Sequence, residues 1–434
     1  MKIKYILNLN ELNTYNNIIL NTYKPYNEIK INEFKYRGGK FNMYFTIFKY
    51  NNTYNLIYKS ISNITYMPVT KLQTSTDLLH FSDEKIILEQ PIISTNLEPF
   101  IDKNKQLKYI GGQHLSYDEY NNVILKKENI KTIKVNEQLI IDPKQNLNIK
   151  CNGIYLLNDK LQLINDYPII NGTNKGLISN LPQYKTSHFD GRSKIIYFHN
   201  KYFIYFSCNY KNGVRAVQYS TSVDLINWDE FKFINIPFNY EHDNIYYFGV
   251  QRYNNILIST FPYSNSKNGY IGISYSIDGI NWSKINKLIN SNISKYNPNR
   301  INDFSIPNII VNNDKFYFYV HRNYLWFEVK KNPYISRLEI EKDRLNSIYS
   351  KNGTFEIKLN NIKNLGINYK IENNGNIYVN IKNNTNFTFD NFDLLENKNS
   401  LYKVLTWNGL KYINNLDTII EFKLINSYIY CLYY

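Results

Sequence analysis

The 434-residue chain has few of the residues that define several protein classes. Its 17 glycines and 12 prolines are too few for a collagen or a low-complexity linker. Its three cysteines, Cys151, Cys208 and Cys431, lie far apart and in no C-x-x-C or metal-binding spacing. We therefore expect small buried cysteines of a reducing compartment, and neither a structural metal nor a cofactor.

Long apolar runs are also missing. No uninterrupted stretch approaches the ~18 apolar residues of a membrane-spanning helix. The apolar start of the chain is broken by asparagine at Asn8, which predicts no signal peptide. These features favour a cytoplasmic or particle-associated protein without a membrane span, and they indicate no particular oligomeric state.

Positive charge is in excess, with 51 lysines and arginines against 36 acidic residues and a net charge of +15. The lysines are scattered singly and in pairs, without the basic stripe that nucleic-acid binding requires. The chain is also rich in asparagine, isoleucine and tyrosine, which A/T-rich codons specify. The charge therefore predicts no nucleic-acid partner, and weak retention on heparin or DNA at physiological salt would agree.

Aromatic residues are abundant, with 42 tyrosines and 24 phenylalanines, and 43% of the chain is hydrophobic. Such a chain folds around a core. Short aromatic or β-branched stretches bounded by Asn, Asp and Gly occur at residues 41–48, 201–206, 256–261 and 315–320. This pattern is typical of strands, and no long helical stripe accompanies it. We predict an all-β protein.

One sequence unit recurs along the chain. Its clearest copies are Tyr219-Ser-Thr-Ser-Val-Asp224-Leu-Ile-Asn-Trp228 and Tyr275-Ser-Ile-Asp278-Gly-Ile-Asn-Trp282. Gln73-Thr-Ser-Thr-Asp77-Leu-Leu-His-Phe81 is a third copy, and residues 153–163 are an eroded fourth. In each copy a strand ends in Ser-x-Asp, the Asp makes a turn, and the next aromatic folds back onto the sheet.

Two strands precede each copy, which is the pattern of propeller blades. The pattern predicts a five-bladed β-propeller over residues 1–337, in which residues 1–40 are a lead-in or closing strand. The first strands of the five blades are expected near Phe41, Tyr109, Ile195, Tyr246 and Ile309. From residue 338 the unit stops. The rest of the chain predicts an appended β-sandwich of six short strands. These strands are expected at residues 353–359, 366–372, 376–381, 401–407, 418–424 and 427–433.

Residues just before each first strand of a propeller point at its central pit. They read Lys35-Tyr-Arg37-Gly-Gly39, Asn96-Leu-Glu98-Pro-Phe-Ile-Asp102, His188-Phe-Asp190-Gly-Arg192, Glu241-His242-Asp243-Asn244 and Arg300-Ile-Asn-Asp303-Phe. Converging carboxylates suit glycosidic bond cleavage, which needs one protonated and one ionised carboxyl about 5 to 9.5 Å apart. Asp before a strand also caps turns or pairs with Arg, so a structural role stays open.

The sequence resembles the five-bladed propellers related to glycoside hydrolase families 32 and 43, especially an uncharacterised branch of bacteria and large DNA viruses. The residues that carry the resemblance are Pro99-Phe-Ile-Asp102, Lys108-Tyr-Ile-Gly-Gly112, Phe189-Asp190, the stretch 213–228, and parts of 351–428. The resemblance implies a propeller followed by a β-sandwich and carbohydrate as the partner. The blade-one nucleophile motif of family 32 is replaced by Arg37-Gly-Gly-Lys40.

Two hypotheses follow. In the first, the protein hydrolyses a glycosidic bond, with Asp190 and Asp102 as base or nucleophile and pKa-setting partner and Glu241 as proton donor. The residues expected to bind substrate or orient the acids are Arg37, Arg192, Arg215, His188, Asp243 and Asp303. In the second, the protein is a catalytically silent glycan-binding or particle-surface propeller. The dispersed histidines, among them His114 and His242, predict no metal site.

Overall fold

The computed structural model describes residues 2–33, 42–62, 68–89, 91–94, 96–113, 133–135, 138–140, 153–165, 167–171, 192–209, 214–239, 241–265, 267–295, 299–324, 329–411, 413 and 416–434. These residues are almost entirely strands and turns, as predicted. The exceptions include a 3-10 turn at Leu9–Glu11 and one helical turn, α1, at Pro91–Ser94. No helix within these ranges has the length and apolar character needed to cross a membrane.

The chain divides into two compact units. The larger comprises Glu28–Ile310 and Phe318–Leu338, and the smaller comprises Met1–Asn27, Val311–Tyr317 and Glu339–Tyr434. Four strands come first along the chain: β1 (Ile3–Tyr5), β2 (Thr14–Asn16), β3 (Ile19–Thr22) and β4 (Tyr26–Glu33).

The next strands form five antiparallel sheets, which are the blades of a five-bladed propeller. Blade 1 contains β5 (Met43–Tyr50), β6 (Thr53–Ile61), β7 (Pro68–Ser75) and β8 (Lys85–Leu88). Blade 2 contains β9 (Glu98–Ile101), β10 (Leu107–Gln113), β13 (Gly153–Leu157) and β14 (Ile170–Asn171), with β11 (Ile133–Val135) and β12 (Gln138–Ile140) as a separate hairpin.

The remaining blades follow the same order. Blade 3 contains β15 (Lys194–Phe198), β16 (Lys201–Asn209), β17 (Arg215–Ser222) and β18 (Lys232–Phe233). Blade 4 contains β19 (Asn244–Ile245), β20 (Gly249–Tyr253), β21 (Ile256–Ser264), β22 (Gly269–Ser276) and β23 (Asn286–Ser291). Blade 5 contains β24 (Phe304–Asn312), β25 (Lys315–Arg322) and β26 (Tyr334–Glu341), and β4 is its fourth strand.

The innermost strands of the blades, β5, β9, β15, β20 and β24, are neighbours around the propeller axis. The amide of Asn308 in β24 donates to the carbonyl oxygen of Ile47 in β5 at 2.8 Å, which joins the last blade to the first. The first strand of blade 2 is β9, whereas the sequence pattern placed it near Tyr109, which lies in β10. The four-residue β9 contains Pro99 and therefore gives a weak strand signal.

The repeated Ser-x-Asp unit makes the same turn in three blades. In blade 3, Asp224 Oδ1 accepts hydrogen bonds from the backbone amides of Ile226 and Asn227 at 2.9 and 2.8 Å, and Ser222 Oγ accepts from the Leu225 amide. Equivalent bonds form around Asp77 and Asp278. The turn follows from the side chains because Asp and Ser compete for local backbone amides.

The residue after the Asp adopts a left-handed backbone in all three turns. Gly279 has φ +83°, and a Cβ there would lie 2.8 Å from Phe203. Leu78 and Leu225, with φ 67° and 71°, instead bury their side chains in the core. The carbonyl oxygen of Gly279 accepts from Tyr205 of the preceding blade at 2.7 Å, so this turn also connects neighbouring blades.

The aromatic residue that ends the copy in blade 4 folds back as predicted. Trp282 is 5% exposed and packs with Tyr205 and Phe248, so it belongs to the core between blades 3 and 4. Its indole N–H donates to the carbonyl oxygen of Gly279. Similar apolar clusters fill the spaces between blades 1 and 2 and between blades 2 and 3.

The C-terminal unit is a seven-stranded antiparallel sheet built on long strands. They are β27 (Asn346–Ile362), β28 (Gly366–Ile381), β29 (Asn399–Val404) and β30 (Leu416–Tyr433), and β1, β2 and β3 pair with β30 and β27. Several predicted short strands are halves of one strand. The break expected between the predicted strands at 366–372 and 376–381 is a shift in register within β28, because both sides keep pairing with β30.

The core of this unit contains Phe355 stacked on Phe422 at 4.7 Å and the fully buried Trp407. The Trp407 indole N–H donates to the carbonyl oxygen of Val379 at 3.0 Å. The bent, paired strands and this core are consistent with the β-sandwich expected from the sequence.

The turn geometry predicts a pH-dependent stability. Backbone and side-chain hydrogen bonds from Asn227, and the Ile226 amide, hold the pKa of Asp224 well below its usual range. A lowered pKa in the folded state stabilises the protein above the unfolded-state pKa of about 3.9, and this stabilisation is lost as the pH falls. Asp224→Asn should therefore lower the melting temperature at about pH 7, and by a smaller amount at about pH 3, where part of the stabilisation is already lost.

Calorimetric melting at both pH values would check this expectation. Asp83→Asn is the matched control because Asp83 is exposed and its carboxylate makes no hydrogen bond in the described part of the chain. An equal destabilisation by Asp224→Asn at both pH values would contradict the assigned role of the ionised carboxylate.

Candidate functional site

One residue from each blade contributes to a connected cluster at the start of the inner strands. We call Thr46, Glu98, Arg192, Tyr247 and Ser305 the axial cluster. All five are buried, with exposures of 0–4%. Each lies in an innermost strand or within a few residues of its first residue, which explains how five distant stretches of sequence meet.

Glu98 is the centre of this cluster. Its Oε2 accepts from Thr46 Oγ1 and from Arg192 at 2.6 Å each, and its Oε1 accepts from Lys194 Nζ at 2.9 Å. Arg192 also donates to the carbonyl oxygen of Phe45. The carboxylate therefore holds blades 1, 2 and 3 together and is neutralised by two buried cations.

Aromatic rings continue the cluster toward blades 4 and 5. The Arg192 guanidinium lies 5.7 Å from the ring centroid of Tyr247, whose hydroxyl donates to the carbonyl oxygen of Ser305. Burial raises the pKa of Tyr247 above its usual range and lowers the pKa of His321 to about 3. His321, which packs against Phe45 and Tyr324, is therefore uncharged at neutral pH.

A second layer adjoins the axial cluster, and we call it the aromatic–arginine face. It consists of Arg215, Tyr246, Arg300, Phe304 and Tyr324. The guanidinium groups of Arg215 and Arg300 lie 4.7 and 5.1 Å from the ring centroid of Tyr246. Phe304 packs on Tyr246 at 5.0 Å and on Tyr324 at 3.9 Å. Arg215, Arg300 and Tyr324 are partly exposed, so this layer can meet a ligand.

Asp102, expected in the pit, lies in the turn between β9 and β10. Its Oδ1 accepts from the amides of Asn104 and Gln106 at 2.8 and 2.9 Å, and its Oδ2 lies 3.2 Å from Lys108 Nζ. Asn158 accepts in the same way from the amides of Lys160 and Gln162 in blade 2. The position of Asp102 therefore matches a turn-forming residue.

The two predicted acids of blade 4 lie in the turn before β19. The Glu241 side chain is 82% exposed, and its Oε2 lies 3.8 Å from His242 Nε2. Asp243 accepts from the Asn239 amide at 2.8 Å and from the Tyr263 hydroxyl at 2.5 Å. These contacts do not join the carboxylates of Glu241 and Asp243 to the axial cluster.

Asp303 is committed to blade 5. It accepts from Arg322 at 2.9 Å and from the Asn323 amide at 3.0 Å. Of the predicted binding residues, Arg192 lies in the axial cluster and Arg215 in the aromatic–arginine face. Arg37, His188, Asp190 and His114 lie outside the described residues, and their roles stay predictions.

No group of three or more His, Cys, Asp or Glu side chains that could hold a metal ion occurs among the residues that the structure describes. Cys208 and Cys431 are buried free thiols, and burial raises the pKa of both above the usual range. Cys151 lies outside the described residues.

Sequence reasoning did not select Glu98, Tyr246, Tyr247, Arg300 or His321 as site residues. Glu98 and Arg300 stood in the stretches predicted to face the pit, so their position was a usable signal. The sequence predicts Asp102 as the acid of blade 2 because Asp102 belongs to a stretch that carries the family resemblance. With β9 as the first strand, Glu98 takes the position at its start.

No protein-family profile matches the sequence, and no curated protein is significantly similar to it. Solved structures similar to the chain include a glycosyl hydrolase from Bacteroides ovatus, with 12% identity, 70% of this chain and 85% of that chain covered, and a TM-score of 0.40. An alpha-L-arabinofuranosidase from Clostridium thermocellum has 11% identity, 64% and 81% coverage, and a TM-score of 0.39.

An N-acetylgalactosamine deacetylase from F. plautii, in complex with blood group B trisaccharide, has 13% identity, 74% and 96% coverage, and a TM-score of 0.40. Glycoside hydrolases are thus among the structures that this chain is similar to, as the sequence resemblance predicts. The identities and TM-scores are too low for these likenesses to indicate a function. The viral branch stays a prediction.

The axial cluster predicts a large loss of stability on neutralising Glu98. Glu98→Gln leaves Arg192 and Lys194 buried without their counter-charge, which should lower the free energy of unfolding by about 3–5 kcal/mol. Denaturant titration would measure the loss. Glu241→Gln, at an exposed carboxylate, is the matched control and should leave stability unchanged. Full stability of Glu98→Gln would show that the carboxylate is not needed to hold the blades together.

Proposed function

We propose that this protein is a carbohydrate-binding propeller that holds its ligand on the aromatic–arginine face without cleaving it. The observation that carries the proposal is the state of Glu98. It is the one carboxylate that the described residues bring into the axial cluster, and Arg192 and Lys194 both bind it. A carboxylate bound in this way is a poor proton donor or nucleophile.

The other described acids expected in the pit support binding without hydrolysis. Asp102, Asp243 and Asp303 each accept hydrogen bonds from backbone amides and from a second side chain or cation. Glycoside hydrolysis needs a pair of carboxyls that are free to exchange protons with the substrate and water. Asp102, Asp243 and Asp303 are not free in this way.

Carbohydrate as the ligand class rests on the chemistry of the face and on the sequence resemblance. Tyr324 is partly exposed and can cover the apolar C–H surface of a sugar, while the buried rings of Tyr246 and Phe304 pack behind it. Arginine adds fixed donors for hydroxyl and acidic oxygens. Aromatic rings beside planar donors are a suitable combination for saccharides.

Hydrolysis remains the second candidate because Asp190 precedes Arg192, a member of the axial cluster, by two residues. Incubating the protein with a panel of oligosaccharides and polysaccharides, followed by mass spectrometry and a parallel binding assay, separates the two functions. We expect binding with no new products from the wild type and from Asp190→Asn. Products that disappear in Asp190→Asn would establish a glycosidase and overturn the proposal.

Tyr324 provides a direct test of the ligand face. Tyr324→Ala should weaken binding of any retained glycan about 3- to 10-fold, because a stacking surface worth about 0.5–1.5 kcal/mol is lost. Isothermal titration calorimetry would measure the change. Tyr402→Ala is the matched control because Tyr402 is another solvent-accessible tyrosine that packs on an aromatic ring, that of Tyr433, but lies in the C-terminal unit. Equal effects of both substitutions would place the ligand elsewhere.

A further inference from the structure

Positive charge is concentrated around the adjacent rings of Tyr246 and Tyr247, whose centroids are 6.1 Å apart. Arg192 lies over Tyr247, and Arg215 and Arg300 both lie within 5.1 Å of the Tyr246 centroid. Lys194 adds a fourth cation. Arg192 and Lys194 share the carboxylate of Glu98.

Arg300 is the member of this group that is most available to a ligand. It is partly exposed, and no carboxylate of the described residues lies within 4.0 Å of its guanidinium nitrogens. Its described contact is the ring of Tyr246. A guanidinium held over an aromatic face keeps its N–H groups free to bind an acidic group.

A chain of asparagines positions the two arginines of the face. Asn299, next to Arg300, accepts from the buried Asn244 amide at 3.0 Å. Asn244 Oδ1 in turn accepts from the Arg215 backbone amide at 2.9 Å. The loops that carry Arg215, Tyr246 and Arg300 are therefore fixed relative to one another, and the cations are held together despite their mutual repulsion.

We propose that the aromatic–arginine face binds an acidic saccharide, with Arg300 binding its carboxylate or sulfate group. This inference rests on the proposed carbohydrate binding and specifies the class of the sugar. Arg300 would form charge-assisted hydrogen bonds with the acidic group, and the adjoining, partly exposed ring of Tyr324 would contact the sugar ring.

The test is a glycan array that carries neutral, uronic-acid and sulfated glycans, probed with the wild-type protein at near-physiological salt. Each hit is then titrated beside its charge-neutralised form, a methyl ester for a carboxylate or a desulfated glycan for a sulfate. We expect acidic hits, with binding weakened about tenfold or more by neutralisation and by Arg300→Gln, since one charge-assisted hydrogen bond is worth about 1.5–3 kcal/mol. The preferred array class distinguishes carboxylate from sulfate.

Arg252→Gln is the matched control. Arg252 is another exposed arginine over an aromatic ring, Phe198 at 5.6 Å, and its substitution changes the net charge equally. Equal losses of affinity for Arg300→Gln and Arg252→Gln would show that binding depends only on the net charge of +15, and this result would overturn the inference. Arg300→Lys, which keeps the charge but loses the planar fork, should retain part of the affinity, and thermal melting of each variant shows that it is folded.

Different results would overturn the acidic specificity and the proposed carbohydrate binding. Neutral glycans that bind as tightly as acidic ones, with no response to Arg300→Gln, would overturn the acidic specificity and leave carbohydrate binding intact. No retention of any glycan would overturn the proposed function and this inference with it.

Discussion

The buried carboxylate of Glu98 is the contact on which the centre of the propeller depends. It accepts from Thr46 of blade 1 and from Arg192 and Lys194 of blade 3, while its own strand belongs to blade 2. Charges removed from water cost several kcal/mol each unless opposite charges and hydrogen bonds compensate them. The three blades must therefore keep their relative positions, and Tyr247 and Ser305 extend the same set of contacts to blades 4 and 5.

The same contact shapes the chemistry available near the axis. Because Arg192 and Lys194 bind both oxygens of Glu98, neither oxygen is free for a substrate. Arg215 and Arg300 lie over the ring of Tyr246 in the adjoining layer. A site of this composition favours recognition of oxygen-rich or acidic groups over acid–base exchange between paired carboxyls.

Farther from the axis, short hydrogen-bonded turns join the blades. The Ser-x-Asp turns of blades 1, 3 and 4 use identical side-chain acceptors, and in blades 1 and 4 the turn carbonyl also accepts from a tyrosine of the preceding blade. Asp102 makes a related turn with the same acceptor pattern as Asn158. The role of an aspartate next to a strand therefore cannot be read from the sequence alone. The same carboxylate can accept hydrogen bonds from the backbone amides of a turn or bind a ligand.

The sequence by itself determined the all-β class, the repeated turn and the five blades. Alternating apolar and polar residues, the Asp turn and the aromatic residue that folds back all depend on residues close together in the chain, and they recur from blade to blade. The sequence also located the stretches that approach the axis. Only the tertiary structure decided that Glu98 rather than Asp102 reaches the centre, and that Tyr246 and Arg300 adjoin it. Those contacts join residues far apart in the chain, and their partners depend on how the blades pack around the axis.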